Sequence, residues 1–134
     1  MSEENVEIVR RVIDARNRGD RDAAFAYAAS DIEFDFSTSA GPWAGIYRGV
    51  EATRRLWDGL DEVFSEFRWE PQEFIDAGDA VVVTMSFHAR GRESGVETVS
   101  RAAGVYWFKD GKVVQYQQRQ TRADALEAVG LRDG

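Results

Sequence analysis

The run Ser100–Phe108, the segment Lys109-Asp110-Gly111 and the run Lys112–Gln120 constrain this chain more than any other stretch. Two runs rich in β-branched and aromatic residues around an Asp-Gly pair make a hairpin, and its second strand ends in Tyr116, Gln118 and Gln120 at strand period two. Polar groups repeating on one strand face are either solvated or gathered around a ligand. The turn decides which residues share that face, because a slip of one residue sends every side chain to the other side. If Asp110-Gly111 alone form the loop, Phe108 faces Val113; if Lys109-Asp110-Gly111 form a three-residue loop with glycine as the left-handed bulge, Phe108 faces Lys112. We expect the second. It groups Ser100, Ala102, Gly104, Tyr106 and Phe108 with Val114, Tyr116, Gln118 and Gln120. The opposite series, Val99, Val105, Trp107 and Val113, is equally apolar, so the pattern alone leaves open which face is inside.

At 134 residues the chain reads as one domain over 1–134, long enough to bury about two thirds of the surface its unfolded form exposes. Hydrophobic residues at 43%, charged residues at 31% and only two prolines describe a globular chain and exclude a disordered one. A net charge of −7 argues against nucleic acid as a partner, since phosphate binding needs a basic surface. Arg10, Arg11, Arg16, Arg18 and Arg21 form a local basic cluster, read as the solvated side of a first helix. With no cysteine there is no disulfide framework, thiol nucleophile or thiolate metal site. No stretch approaches the ~20 apolar residues of a membrane span, and the charged start without a signal-type apolar region leads us to expect a cytoplasmic protein.

Helical spacing joins Val6, Val9, Ile13 and Arg16 behind a Ser2 cap and the acidic Glu3 and Glu4, and Asn17 to Gly19 ends that helix. Asp20 caps a second, short helix carrying Ala24, Phe25, Tyr27 and Ala28. A half-buried strand follows, with Ile32, Phe34 and Phe36 alternating against Asp31, Glu33 and Asp35. Ser37 to Gly49 reads as a loop around a lone Trp43. Thr53, Leu56, Trp57, Leu60, Val63 and Phe64 then define a long amphipathic helix. Phe67 to Ala77 reads as a strand broken by Pro71, hence an edge or bulge. After Gly78-Asp79, the odd residues Val81, Val83, Met85, Phe87 and Ala89 face the core. Thr121 with Asp124 caps a last helix closed by Gly130. The order ααβαβββ with a terminal helix predicts an α+β fold with the helices on one face of a meandering sheet.

That order resembles the nuclear transport factor 2-like superfamily, in its SnoaL-like branch. The resemblance rests on Asn17-Arg-Gly-Asp20 after the first helix, Tyr47-Arg-Gly49 before the long one, Phe108-Lys-Asp-Gly-Lys-Val113 at the hairpin and Arg122-Ala-Asp-Ala-Leu-Glu-Ala128 after it. It implies a cone: a curved, mostly antiparallel sheet wrapped around N-terminal helices, with an internal pocket and a homodimer contact through the outer sheet face. It also turns the even hairpin series inward, so that Gly104, Tyr106, Tyr116, Gln118 and Gln120 line the pocket.

The fold alone does not name a reaction. A ketosteroid isomerase on this scaffold needs a carboxylate base at the end of the first strand, a tyrosine on the first helix and a protonated aspartate before the hairpin turn. The resemblance places those roles on Phe36, Val12 and Gly104, none of which can fill them, and Gly104 is read as open space without a proton donor. Glu33 and Asp35 alternate away from the core, as does His88, the single histidine, which makes no convincing metal site alone. Gly41-Pro42 and the scattered glycines match no phosphate loop, and no cofactor is expected.

Arg16 continues an apolar helix face, so its head either reaches water at the helix end or projects inward toward Tyr27, Gln118 or an acidic ligand group. Trp57, Met85 and Phe87 serve as core, pocket wall or both, and Trp43 either closes the mouth or anchors a surface loop. The resulting expectation is a pocket with a polar end of Tyr116, Gln118, Gln120 and in one reading Arg16, taking a small apolar or aromatic molecule that carries an oxygen. It is used for binding without turnover, or for cofactor-free cyclase, isomerase or dehydratase chemistry.

Overall fold

Alternation along the strands divides the apolar residues between the two faces of one sheet, and that division organises the molecule. The computed structural model describes residues 2–39 and 41–131, Ser2 by its backbone alone, so the Ser2 cap lies outside the described side chains. Helices α1 (Ser2–Asn17) and α2 (Arg21–Phe25) precede strands β1 (Ala28–Asp35) and β2 (Ile46–Arg48). Helix α3 (Val50–Val63) leads into β3 (Phe64–Asp76), β4 (Ala80–Gly91), β5 (Glu97–Lys109) and β6 (Lys112–Arg119), and α4 (Arg122–Ala128) follows. The six strands form one open sheet in the order β2-β1-β6-β5-β4-β3. Every neighbouring pair is antiparallel except β1 with β6. Among the described residues no helix is long and apolar enough to cross a membrane.

Three sequence expectations need correction. The loop between Ser37 and Gly49 contains β2, which pairs Tyr47 with Phe34 at the sheet edge; three residues are too few to show a period. The long helix ends at Val63, which is 46% exposed, and Phe64 already belongs to β3. Helix α4 does not join the others on one face. The main core holds the odd residues of β4 with α1 and α3, whereas Ala80, Val82, Ala103 and Val105 pack under Ala125 and Leu126 of α4 on the opposite face. Strand β4 is therefore apolar on both sides.

The hairpin corrects a fourth. Lys109 pairs with Lys112 and Phe108 with Val113, so Asp110 and Gly111 alone form the loop. Both have left-handed backbone, at φ 52° and 77°, as a type I′ turn requires. A register shift after Trp107 then leaves Val114 unpaired, and Tyr106 faces Tyr116 while Gly104 faces Gln118. The bulge cancels the shorter turn, so the even series shares a face beyond it and Val113, not Val114, joins the inner side. Further register shifts in β3 at Glu66 and after Pro71 bend the edge strand around the helices.

The free edge of β3 is held by α1. Asn17 Nδ2 donates to the Trp69 carbonyl at 2.6 Å and the Trp69 N–H donates to Asn17 Oδ1 at 2.9 Å, so one side chain satisfies both groups of an edge residue. Gly19, at φ 78°, ends the helix beyond it, and Asp20 caps α2 by accepting from Ala23 N at 3.1 Å. Asn17→Ala is expected to lower stability by about 1–3 kcal/mol in urea unfolding, because two part-buried backbone groups lose their partner. A change near zero would show that the clip carries no load.

Candidate functional site

Inside the sheet the aromatic side chains fill most of the space. Tyr116 stacks on Phe34 at 4.6 Å between centroids, meets Tyr106 edge-on at 4.9 Å and lies 6.0 Å from Trp69. Trp57 meets Phe34 and Trp69 edge-on at 6.3 and 6.0 Å. A cavity of about 30 Å³ remains beside Trp57, Trp69 and Tyr106, room for about one water. Trp57 and Met85, expected as core, pocket wall or both, and Tyr106, expected on the pocket lining, are packed core with relative exposures of 3%, 1% and 3%, and Trp57 and Tyr106 also border this cavity. Tyr27 sends its hydroxyl outward, where Arg11 Nη1 donates to it at 3.1 Å.

Gly104 does not leave open space. A Cβ placed there would lie 2.6 Å from Tyr116 Cε1 and 2.8 Å from its hydroxyl oxygen, so the tyrosine occupies the volume where an acid would stand. Its hydroxyl donates to Gln118 Oε1 at 2.6 Å. Burial pushes the Tyr116 hydroxyl well above the ordinary tyrosine range, with Tyr106 adding to the effect, and Tyr106 is raised mainly by its own burial. Both stay neutral at pH 7. Gly104→Ala is expected to cost about 1–3 kcal/mol by overpacking, and an unchanged urea midpoint would mean that Tyr116 moves aside freely.

The open space lies at the mouth, as a cleft of about 270 Å³ between α3, the start of β3 and the far ends of β5 and β6. Four expected residues line it: Trp43, Phe87, Gln118 and Gln120. Phe36, Leu60, Phe64 and Phe67 complete its apolar wall. Trp43 lies 5.8 Å from Phe64 and is anchored by the Tyr47 hydroxyl, which donates to its carbonyl at 2.6 Å. Thr38 ties the loop to β6, its hydroxyl donating to the Gln118 carbonyl at 2.6 Å, while Gln120 Nε2 donates to the Thr38 carbonyl. That tie positions Ser39, which also lines the cleft and whose Oγ is buried with no partner among the described residues. Ser39 was hidden in the sequence because an aperiodic loop gives no side-chain direction.

Gln118 is 4% exposed, and with Oε1 taken by Tyr116 its amide nitrogen has no partner among the described residues. The mouth therefore offers donors on an aromatic wall. Its described lining contains no carboxylate and no histidine. Glu33 instead accepts from Gln115 at 3.0 Å, Asp35 accepts from Ser37 N at 2.9 Å, and His88 lies 3.1 Å from Glu70 on the outer face. Among the described residues no cluster of three or more potential metal ligands forms.

Arg16 follows the inward alternative but does not reach Tyr27 or Gln118. It is 6% exposed, with its guanidinium carbon 5.0 Å from the Trp57 ring, 5.4 Å from Trp69 and 5.6 Å from Phe67. Burial lowers its pKa to about 10, partly offset by Asp61. The charge is present in folded and unfolded chains at pH 7, so its desolvation cost is present in full there and is relieved only as pH rises through about 10, where the folded form releases its proton first. Arg16→Met is expected to raise stability by about 1–3 kcal/mol at pH 7, the desolvation cost less the cation–π attraction. The advantage should shrink above pH 10; urea curves at pH 7 and pH 10.5 that show a less stable variant, or a growing advantage, would contradict this account.

Solved structures share this architecture. A nuclear transport factor 2-like protein of unknown function from Burkholderia pseudomallei is 21% identical, with 94% of this chain and 97% of its own aligned at a TM-score of 0.80. Another nuclear transport factor 2-like protein, from Burkholderia thailandensis, is 28% identical over 84% of this chain and 87% of its own, at 0.77. A protein described as a putative polyketide cyclase from Xanthomonas campestris, 18% identical over 96% and 98%, aligns at 0.73. The fold is thus the nuclear transport factor 2-like cone. Within it, the chain belongs to the SnoaL-like domain family, which matches residues 9–116. No curated protein matches the sequence.

Proposed function

We propose that the protein binds a small aromatic molecule through an acceptor oxygen in the mouth cleft, without turning it over. The observation that carries this reading is Ser39 Oγ, buried without a partner among the described residues, on the same aromatic cleft as the Gln118 amide, whose nitrogen makes no hydrogen bond there. A buried hydroxyl without a partner costs free energy, and a ligand carbonyl or ether oxygen that accepts from Ser39 removes that cost while the Gln118 amide supplies a second donor. Phe36, Trp43, Phe64 and Phe87 supply the surface for a ring. At about 270 Å³ the cleft sits just under the usual range of ligand pockets, which starts near 300 Å³. A molecule of one or two rings fits that size.

Binding rather than catalysis is favoured by the lining. General acid–base work needs a group whose pKa lies near the operating pH, and Phe36 stands where the isomerase comparison puts a carboxylate. The nearby tyrosine, Tyr116, is held neutral and spends its proton on Gln118. Acetophenone, a ring with one acceptor oxygen, is a suitable probe, followed by NMR of the Trp43 indole signal. Ser39→Ala and Gln118→Leu are each expected to weaken its binding by about tenfold, the worth of one hydrogen bond in a dry site. Binding unchanged in both folded variants would remove the cleft from consideration, and time-dependent conversion of the probe would replace binding with catalysis.

A further inference from the structure

Arg16 holds a charge whose hydrogen-bonding edge nothing in the described chain uses. Its Nε and Nη2 nitrogens are both buried without a partner. They are the two donors along one edge of the planar guanidinium, the pair that grips both oxygens of a carboxylate at once. The rings of Trp57, Phe67 and Trp69 around it attract the cation but accept no conventional hydrogen bond.

Arg16 lines a second cleft, of about 470 Å³, bounded by the end of α1, the end of α3 and the start of β3. Its charged lining is Arg16, Arg21, Arg68 and Arg92 against Asp61 and Glu66, four cations less two acids, or +2 in a chain of net −7. Two of the cations are already engaged. Arg21 pairs with Asp58 at 3.2 Å and Asp61 at 2.6 Å, and Arg92 donates to the Asp61 and Phe64 carbonyls at 2.7 and 3.3 Å. Arg16 at the floor and Arg68 at the exposed rim have no acidic partner within ion-pair distance among the described residues.

We propose that this cleft binds a small organic carboxylate with an apolar body, gripped by the Nε–Nη2 edge of Arg16. The aromatic surround favours a carboxylate over the more strongly hydrated phosphate dianion. Because the Nε and Nη2 atoms are buried, a side chain lining the cleft has to turn to admit the carboxylate, and we assign that movement to Phe67, half-buried on the edge strand with its ring 5.6 Å from the guanidinium carbon. The site does not depend on the mouth cleft, with which it shares Phe64 and Phe67.

Benzoate, its uncharged isostere benzamide and inorganic phosphate, titrated into the full chain while arginine Nε–H resonances are followed by NMR, provide the test. Benzoate is expected to shift the Arg16 resonance to saturation, with benzamide and phosphate leaving it in place. Arg16→Met should weaken benzoate binding by about tenfold to a hundredfold, and Gln118→Leu should leave it unchanged. Arg16→Lys, which keeps the charge and loses the fork, is also expected to bind more weakly and serves where Arg16→Met does not fold. The proposal is overturned by an unmoved Arg16 resonance, by an equal response to benzamide or phosphate, by wild-type affinity in the folded Arg16 variants, or by loss of binding in Gln118→Leu.

Discussion

Tyr116 seated in the hollow over Gly104 is the contact on which the interior depends. Its ring bridges β1 and β5 through its sheet neighbours Phe34 and Tyr106, and also approaches Trp69 of β3. Only glycine permits this, since any Cβ at position 104 would lie within 3 Å of the ring. The same contact sets the chemistry of the mouth. Because the hydroxyl is buried and held neutral, it donates to Gln118 Oε1, which turns the amide oxygen toward the core and leaves the amide nitrogen's donors unused. A packing decision in the core thus selects acceptor oxygens outside it.

How much of this was legible in the sequence depends on what each feature physically requires. Alternation identified the core-facing residues of β4, because strand period is local and survives into the fold; in β6 it only grouped the residues, and the family resemblance turned the even series inward. The hairpin has a two-residue turn where composition favours three, yet Tyr116 and Gln118 keep the face expected for them, since the unpaired Val114 restores the parity that the shorter loop changes. Nothing local marks that bulge; it follows from pairing β6 with β5 on one side and β1 on the other. Gly104 was misread for a similar reason. A glycine announces missing volume, but which neighbour fills it is settled only across the sheet.

Of the site, Gln118 and Trp43 could be named from pattern and loop composition, whereas Ser39 could not. Arg16 was the reverse case: its place on an apolar helix face was plain from spacing with Val9 and Ile13, but spacing says nothing about the end of a long side chain. Whether the head reaches water depends on what stands beyond the helix end. Here Trp57, Phe67 and Trp69 enclose it.

That enclosure also sets the boundary between the two clefts. Asn17 clips the edge strand at Trp69, two residues beyond Phe67, and β4 pairs with the strand on its other side. Between Phe64 and Glu66 the pairing register is broken, while Phe67 is paired with Ala89. These two rings form the partition between the donor-lined mouth and the Arg16 floor. Each ring thus presents a surface to both clefts while the polar groups of the two sites stay separate: Ser39 and Gln118 line the mouth alone and Arg16 the second cleft alone.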